Sequence, residues 1–218
     1  MTAVEIPIAT KAVALRGLLE VPPAPCGIVL FAHGSGSSRF SPRNARVARG
    51  LGEAGLATLL FDLLTAEEER IDEATRELRF DIPLLSRRLI VVTQWTQKRF
   101  RHLPIGYFGA STGAAAALSA AACIPTIAAV VSRGGRPDLA GSALEKVSAA
   151  TLLIVGSRDP EVLDLNRQAL ARMRCPARLE VVPGATHLFE EPGTLEQVTS
   201  LAAEWFVRHL VAAQPHQP

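Results

Sequence analysis

Cysteine is scarce in this chain of 218 residues: Cys26, Cys123 and Cys175 are odd in number and show no C-x-x-C spacing. The pattern supplies neither a disulfide framework nor a zinc site, and it fits a reduced, cytoplasmic setting. No apolar run approaches the ~18 residues needed to span a bilayer, so no membrane association is expected. The opening MTAVEIPIAT has neither a basic n-region nor an apolar h-region, which excludes a secretory signal from the expectation. Charge of one sign is not in excess either. The formal net charge is +2 and the Lys and Arg residues are scattered, too weak a footprint for nucleic acid. No repeat, linker or low-complexity tract divides the chain.

What is present is an ordinary globular composition, 48% hydrophobic and 20% charged, in a chain long enough for one large core. One domain over residues 1–212 is expected, with the last six residues, AQPHQP, as a frayed tail over 213–218. Short β-branched apolar runs alternate with longer helical stretches. AVALRGLLEVP, GIVLFAHG, ATLLFDLL, PIGYFG, IAAVVSRGG, ATLLIVGS and RLEVVPGA read as seven strands, several of them continuous apolar runs suited to burial on both faces. Helices are expected at Pro42–Ala54, Asp81–Gln97, Ser111–Cys123, Glu161–Arg172 and Leu195–Val211. Ser41 before Pro42 is a helix-start signal, and Thr194 with Gln197 fits a capping box. This alternation predicts an α/β fold with a mostly parallel sheet covered on both faces. The charged segment Thr65–Phe80 reads as a solvated loop with a short helix, or as a flap that brings Arg79 to a substrate.

The stretch GYFGASTGAAAAL carries Gly109-Ala110-Ser111-Thr112-Gly113, a G-x-S-x-G directly after a strand and directly before a helix. That context holds a serine on a strained turn with its oxygen exposed, and small flanking residues let strand and helix approach. The start of the helix offers the N–H of Thr112 to a developing oxyanion. A serine nucleophile needs a base, and the base needs an orienting acid. Asp159 lies just after the sixth strand and His187 just after the seventh, in the order Ser, Asp, His and at strand ends that converge in a parallel sheet. Asp159 also reads as the N-cap of the helix that follows, with Asp138 and Asp164 as reserve acids. His187 alone of the five histidines follows the last strand before a helix. The second oxyanion donor is expected from the loop His33-Gly34-Ser35-Gly36, through the N–H of Ser35, with His33 itself near substrate; Arg39, Arg43 and Asn44 read as solvated surface.

Two other classes compete with a hydrolase. A dinucleotide-binding oxidoreductase would use glycine turns for pyrophosphate. Here G-x-G-x-x-G spacing is absent, and about twenty residues past Gly113 stands Arg133 where a ribose-binding acid would be needed. The other is a hydrolase fold without activity, serving as a binding or regulatory module.

HGSGSS, FDLLTAEEE, GYFGASTGAAAAL, VVSRGGRPDL, VGSRDPEV and PGATHLFEEPG together resemble the α/β-hydrolase superfamily, in its dienelactone hydrolase-like branch, over about Val13 to Leu210. The resemblance implies a triad of Ser111, Asp159 and His187, an oxyanion hole at Ser35 and Thr112, a small ester or related acyl substrate, and no metal or organic cofactor. Dienelactone hydrolases carry a cysteine nucleophile where this chain has serine, which points toward carboxylesterase or thioesterase activity. Many lipases of the superfamily insert a cap between the fifth and sixth strands as counted here. Only Ser132–Ala150 lies in that gap, so an open site for short substrates is expected. In SRGGRPDL, Arg133 or Arg136 could bind a substrate carboxylate, or Gly134-Gly135 could form a plain surface turn.

Overall fold

The strand Ile28–Ala32 buries all five of its residues. Ile28 and Leu30 enter one apolar cluster while Val29 and Phe31 enter another, as the two-residue period of a strand covered on both sides requires. The computed structural model describes residues 3–11 and 13–213, and the expected tail beyond Ala213 lies outside them. The elements run β1 (Val4–Ala9), β2 (Ala14–Glu20), β3 (Ile28–Ala32), α1 (Pro42–Glu53), β4 (Ala57–Phe61), α2 (Ala66–Thr75), α3 (Ile82–Arg99), β5 (Ile105–Ala110), α4 (Thr112–Cys123), β6 (Ile127–Arg133), β7 (Ala150–Gly156), α5 (Pro160–Arg172), β8 (Ala177–Val182) and α6 (Thr194–Ala212). Short 3-10 segments lie at Leu78–Phe80 and Pro137–Lys146.

The eight strands form one sheet in the order β1-β2-β4-β3-β5-β6-β7-β8. β1 and β2 are antiparallel to their neighbours, and β3 to β8 are parallel. α1 and α6 pack together over the Val29/Phe31 face, where Val47, Leu51, Phe206 and Leu210 are fully buried. α3 and α4 cover the opposite face with Leu89, Val92 and the alanines of α4. Tyr107 is buried in that layer; its hydroxyl donates to Thr93 Oγ1, 2.6 Å away, and Thr93 in turn donates to the Leu89 carbonyl. The chain turns back between β3 and β5, which are neighbours in the sheet although α1, β4, α2 and α3 separate them in sequence. A crevice at the carboxyl ends of the strands opens at such a reversal.

Three details depart from the sequence expectations. β1 is an eighth strand, at the sheet edge, in which Ile8 alone is buried and Pro7 is accommodated because no further strand needs its N–H. Its apolar Val4, Ile6 and Ile8 do alternate, but Pro7 interrupts this short run and only Ile8 is fully buried. The Thr194/Gln197 capping box does not form: Gly193 takes the N-cap position at φ 81°, and the Thr194 hydroxyl donates to the Glu191 carbonyl at 2.7 Å. The box forms instead at α2, where Thr65 and Glu68 exchange side-chain bonds with each other's backbone N–H. The Ser41 cap is present, accepting from the N–H of Asn44 at 3.3 Å. Between β6 and β7 there is only the 3-10 segment, with no cap domain. Among the described residues, no helix is long and apolar enough to cross a membrane.

Candidate active site

Ser111 stands between the last residue of β5 and the first of α4 with φ 52° and ψ −122°. An L-residue there carries about 1–3 kcal/mol of strain, held only because the surroundings over-determine it. The Ser111 N–H donates to the Arg133 carbonyl at 3.3 Å, and its own carbonyl accepts from Ala114 and Arg136, both at 3.1 Å. The flanking glycines are sterically required. A Cβ on Gly109 would lie 2.4 Å from Ala114 Cα, and one on Gly113 would lie 2.2 Å from the Ala32 carbonyl oxygen. Ala114 to Ala117 are fully buried and bring α4 down onto the sheet. The Ser111 hydroxyl does not cap α4, which leaves the oxygen unspent at the mouth of the turn.

His187 and Asp159 come together from the loops after β8 and β7. His187 Nδ1 and Asp159 Oδ2 are 2.6 Å apart, with the acid largely shielded and the imidazole 39% exposed. The two loops are tied by Ser157 N–H to the Val182 carbonyl at 3.0 Å and by Arg158 N–H to the Ala185 carbonyl at 2.9 Å. Asp159 is the residue before α5, yet its carboxylate makes no capping bond; it is committed to His187. The reserve acids lie elsewhere: Asp138 pairs with Arg136, and Asp164 with Arg167 on the surface. Ser111 and His187 line one cavity of about 260 Å³. No hydrogen bond joins them, and such bonds often form only with substrate in place.

The loop after β3 is built around His33, which is 7% exposed. Its Nε2 accepts from the Leu63 N–H at 3.1 Å, so Nδ1 carries the proton and donates to the Gly34 carbonyl at 3.0 Å. Burial holds its pKa below the ordinary histidine value, outweighing the Gly34 carbonyl and Asp62, which favour the charged form. Both ring nitrogens are thus occupied by backbone, and His33 orients the loop rather than presenting a donor to substrate. Arg39 braces the same loop from below: its backbone N–H and its guanidinium bind Asp62, and Nη2 reaches Glu5 of β1 at 2.8 Å. The Ser35 hydroxyl lies 2.9 Å from that of Thr112. The Ser35 N–H meets no protein acceptor, and Thr112 opens α4, where the first N–H groups have no intrahelical partner. Both residues lie at the reversal between β3 and β5.

The three arginines singled out in the sequence part company. Arg79 belongs to the α2 segment and binds Asp72, which is 1% exposed, through Nε at 2.6 Å and through its own N–H at 2.9 Å. It braces α2 beside Gly36 and, although absent from the Ser111 cavity, lines a smaller neighbouring cavity with Ser35 and Thr112. Arg136 makes a two-pronged pair with Asp138 at 2.9 and 2.7 Å, so only its backbone serves the elbow. Arg133 lines the cavity with Ser111 and His187. Its guanidinium is buried and its pKa is pushed down to about 10, first by burial and then by the like charge of Arg43. Arg43 and Asn44, expected as surface, line that cavity too. Their place at the start of α1 was visible in the sequence, but not that α1 begins beside Ser111. A Cβ on Gly134, at φ 51°, would lie 3.1 Å from the His187 carbonyl oxygen, so the glycine lets the two loops approach closely. The three cysteines form no disulfide; Cys26 and Cys175 precede β3 and β8 and Cys123 ends α4, all at the sheet edge away from Ser111.

Comparison with known proteins gives the geometry a lineage. The model of the dienelactone hydrolase family matches residues 15–210. A crystal structure of dienelactone hydrolase from Anabaena variabilis superposes with TM-score 0.94 at 56% identity, covering 96% of this chain and 98% of that one. Est1E from Butyrivibrio proteoclasticus shares the fold at TM-score 0.78 and 17% identity, covering 96% of this chain and 99% of its own. Proteins from two strains of Mycobacterium tuberculosis, each named "Putative phosphoribosyl transferase", are 59% identical over 214 residues, 97% of this chain and 47% of theirs. The chain therefore spans about half the length of those relatives. With its elbow, its strand order and this match over most of its length, the chain belongs to the dienelactone hydrolase family, on an α/β-hydrolase fold.

Proposed function

We propose that this chain is a serine hydrolase that cleaves small carboxylic esters, or related thioesters and lactones, through an acyl-enzyme. The observation that carries the reading is Ser111 held at positive φ with an unspent hydroxyl, on the same cavity as a histidine whose far nitrogen is taken by Asp159. Ser111 Oγ attacks the carbonyl carbon as His187 Nε2 takes its proton. Asp159 holds the proton on Nδ1 and stabilises the imidazolium. The N–H groups of Ser35 and Thr112 receive the oxyanion, a donor of this kind contributing about 3 kcal/mol in comparable sites. The imidazolium then protonates the departing alcohol, and water attacks the acyl-enzyme with His187 again as base. The absence of a cap domain supports short acyl groups over long chains.

Phosphoribosyl transfer, the activity in the name of the mycobacterial relatives, is the rival that identity alone would favour. It is not adopted, because the chain covers 47% of those relatives and the residues gathered at its strand ends are a serine, a histidine and an acid. An inactive binding module is the other rival. Turnover of p-nitrophenyl acetate by the wild type and its loss in Ser111→Ala, together with labelling of Ser111 by a fluorophosphonate, supports the hydrolase. Unlabelled Ser111, or an alanine variant with wild-type turnover, overturns it.

A further inference from the structure

The cavity that holds Ser111 and His187 has a wall that ester hydrolysis leaves unexplained. Arg133 is 8% exposed, its Nη1 has no hydrogen-bond partner, and no carboxylate pairs with it among the described residues. The charge nearest to it in effect is another cation, Arg43. A buried cation without a counter-charge is costly, and buried charges are normally paired or bound to a ligand. Arg43 Nε and Asn44 Oδ1, on the same wall, are also buried and unpartnered. Both residues sit in the first turn of α1, a helix of 12 residues with no acidic side chain in that turn, so the positive end of its dipole is uncompensated. Glu190 meets Arg43 Nη1 at 3.1 Å but is 63% exposed and makes no bond to Arg133.

We propose that this wall is a subsite for a phosphate group carried on the alcohol half of the ester, seated on Arg133 at the N-terminus of α1. The inference rests on the Ser111 reading for the reaction and adds the substrate class. Charge favours phosphate over carboxylate. With Arg43 already facing Glu190, the unpaired Arg133 and the helix end still exceed one negative charge, whereas a phosphate monoester carries about −1.5 to −2 at pH 7 and three free oxygens. The alcohol half is assigned because His187 must face the departing oxygen to protonate it, and His187 shares this cavity with Arg133.

The test compares kcat/KM for propyl acetate, 3-acetoxypropyl phosphate and 4-acetoxybutyrate in wild type, Arg133→Met and Arg133→Lys. The wild type is expected to favour the phosphate ester over propyl acetate by about tenfold or more. Arg133→Met should bring that ratio below about threefold, with Arg133→Lys between, as befits a point charge replacing a fork. Inorganic phosphate should raise the Tm of the wild type and of Ser111→Ala but not that of Arg133→Met. A wild-type ratio near one, or a phosphate-induced Tm rise that survives in Arg133→Met, overturns the subsite while leaving ester hydrolysis intact. An equal gain for 4-acetoxybutyrate overturns the choice of phosphate. If none of the three esters is cleaved, the Ser111 reading fails, and phosphate binding to Ser111→Ala still decides the subsite.

Discussion

The hydroxyl groups of Ser35 and Thr112 lie 2.9 Å apart, joining the loop after β3 to the first residue of α4. These are the two residues whose N–H groups are assigned to the oxyanion, and they sit where the sheet order reverses between neighbouring strands. A bond between the side chains fixes the spacing of the backbone donors before any substrate arrives. Preorganisation of this kind is what makes such donors effective.

Removing that bond should therefore cost activity without unfolding the chain. Ser35→Ala and Thr112→Val are each expected to lower kcat/KM for p-nitrophenyl acetate by about 3- to 10-fold, the worth of one hydrogen bond near 1 kcal/mol. The double variant should be no worse than the poorer single one, because both lose the same bond. Losses that multiply would mean that the hydroxyls act separately.

Asp159 holds His187 at 2.6 Å, and its replacement tests orientation more than fold. Asp159→Asn is expected to lower kcat by about ten-thousandfold with little change in Tm, since the amide favours the wrong imidazole tautomer. Asp138→Asn and Asp164→Asn, whose carboxylates face Arg136 and Arg167, should stay near wild-type turnover.

The strain at Ser111 predicts an order of stability between two variants. Alanine keeps a Cβ at φ 52°, whereas glycine accepts that conformation freely. Ser111→Gly should be more stable than Ser111→Ala by about 1 kcal/mol in urea denaturation. The reverse order would show that the elbow is not strained.

His33 predicts a direction in pH. It is neutral and buried, with its pKa lowered by burial. Unfolding exposes a histidine that titrates near the ordinary value of about 6.5, so below that pH the unfolded chain binds a proton that the folded one refuses. Stability from this group is present above about pH 6.5 and is lost as pH falls below it. His209 shifts the same way, through partial burial and then the charge of Arg208, so the difference between proteins isolates His33. Wild type should lose stability between pH 7.5 and 5.5 by more than His33→Gln does. Equal losses would argue against a buried neutral His33.

Much of this arrangement was legible in the chain because its signals are local. Gly109, Ser111 and Gly113 declare a strand-to-helix turn within five residues, and Asp159 and His187 each follow a buried apolar run by a few residues. A parallel sheet sends the ends of all such strands to one edge, so chain order sufficed to predict that these residues converge. β1 escaped although Val4, Ile6 and Ile8 alternate in it, because Pro7 inside so short a run argues against a strand. Thr194 misled because serine and threonine signals can sit one residue inside a helix, and only the backbone path to Gly193 tells the two apart.

The chain alone carried the elbow, the order of Ser111, Asp159 and His187, and the alternation that makes the sheet. Each depends on steric and periodic rules acting over a few residues. The tertiary structure alone decided which charges are paired. Arg79, Arg133 and Arg136 look alike in the chain, yet Asp72 neutralises the first, Asp138 the last, and among the described residues nothing the second. Coulomb energy and desolvation depend on distance and burial in space, and those are set by how α1 and β6 pack around Ser111.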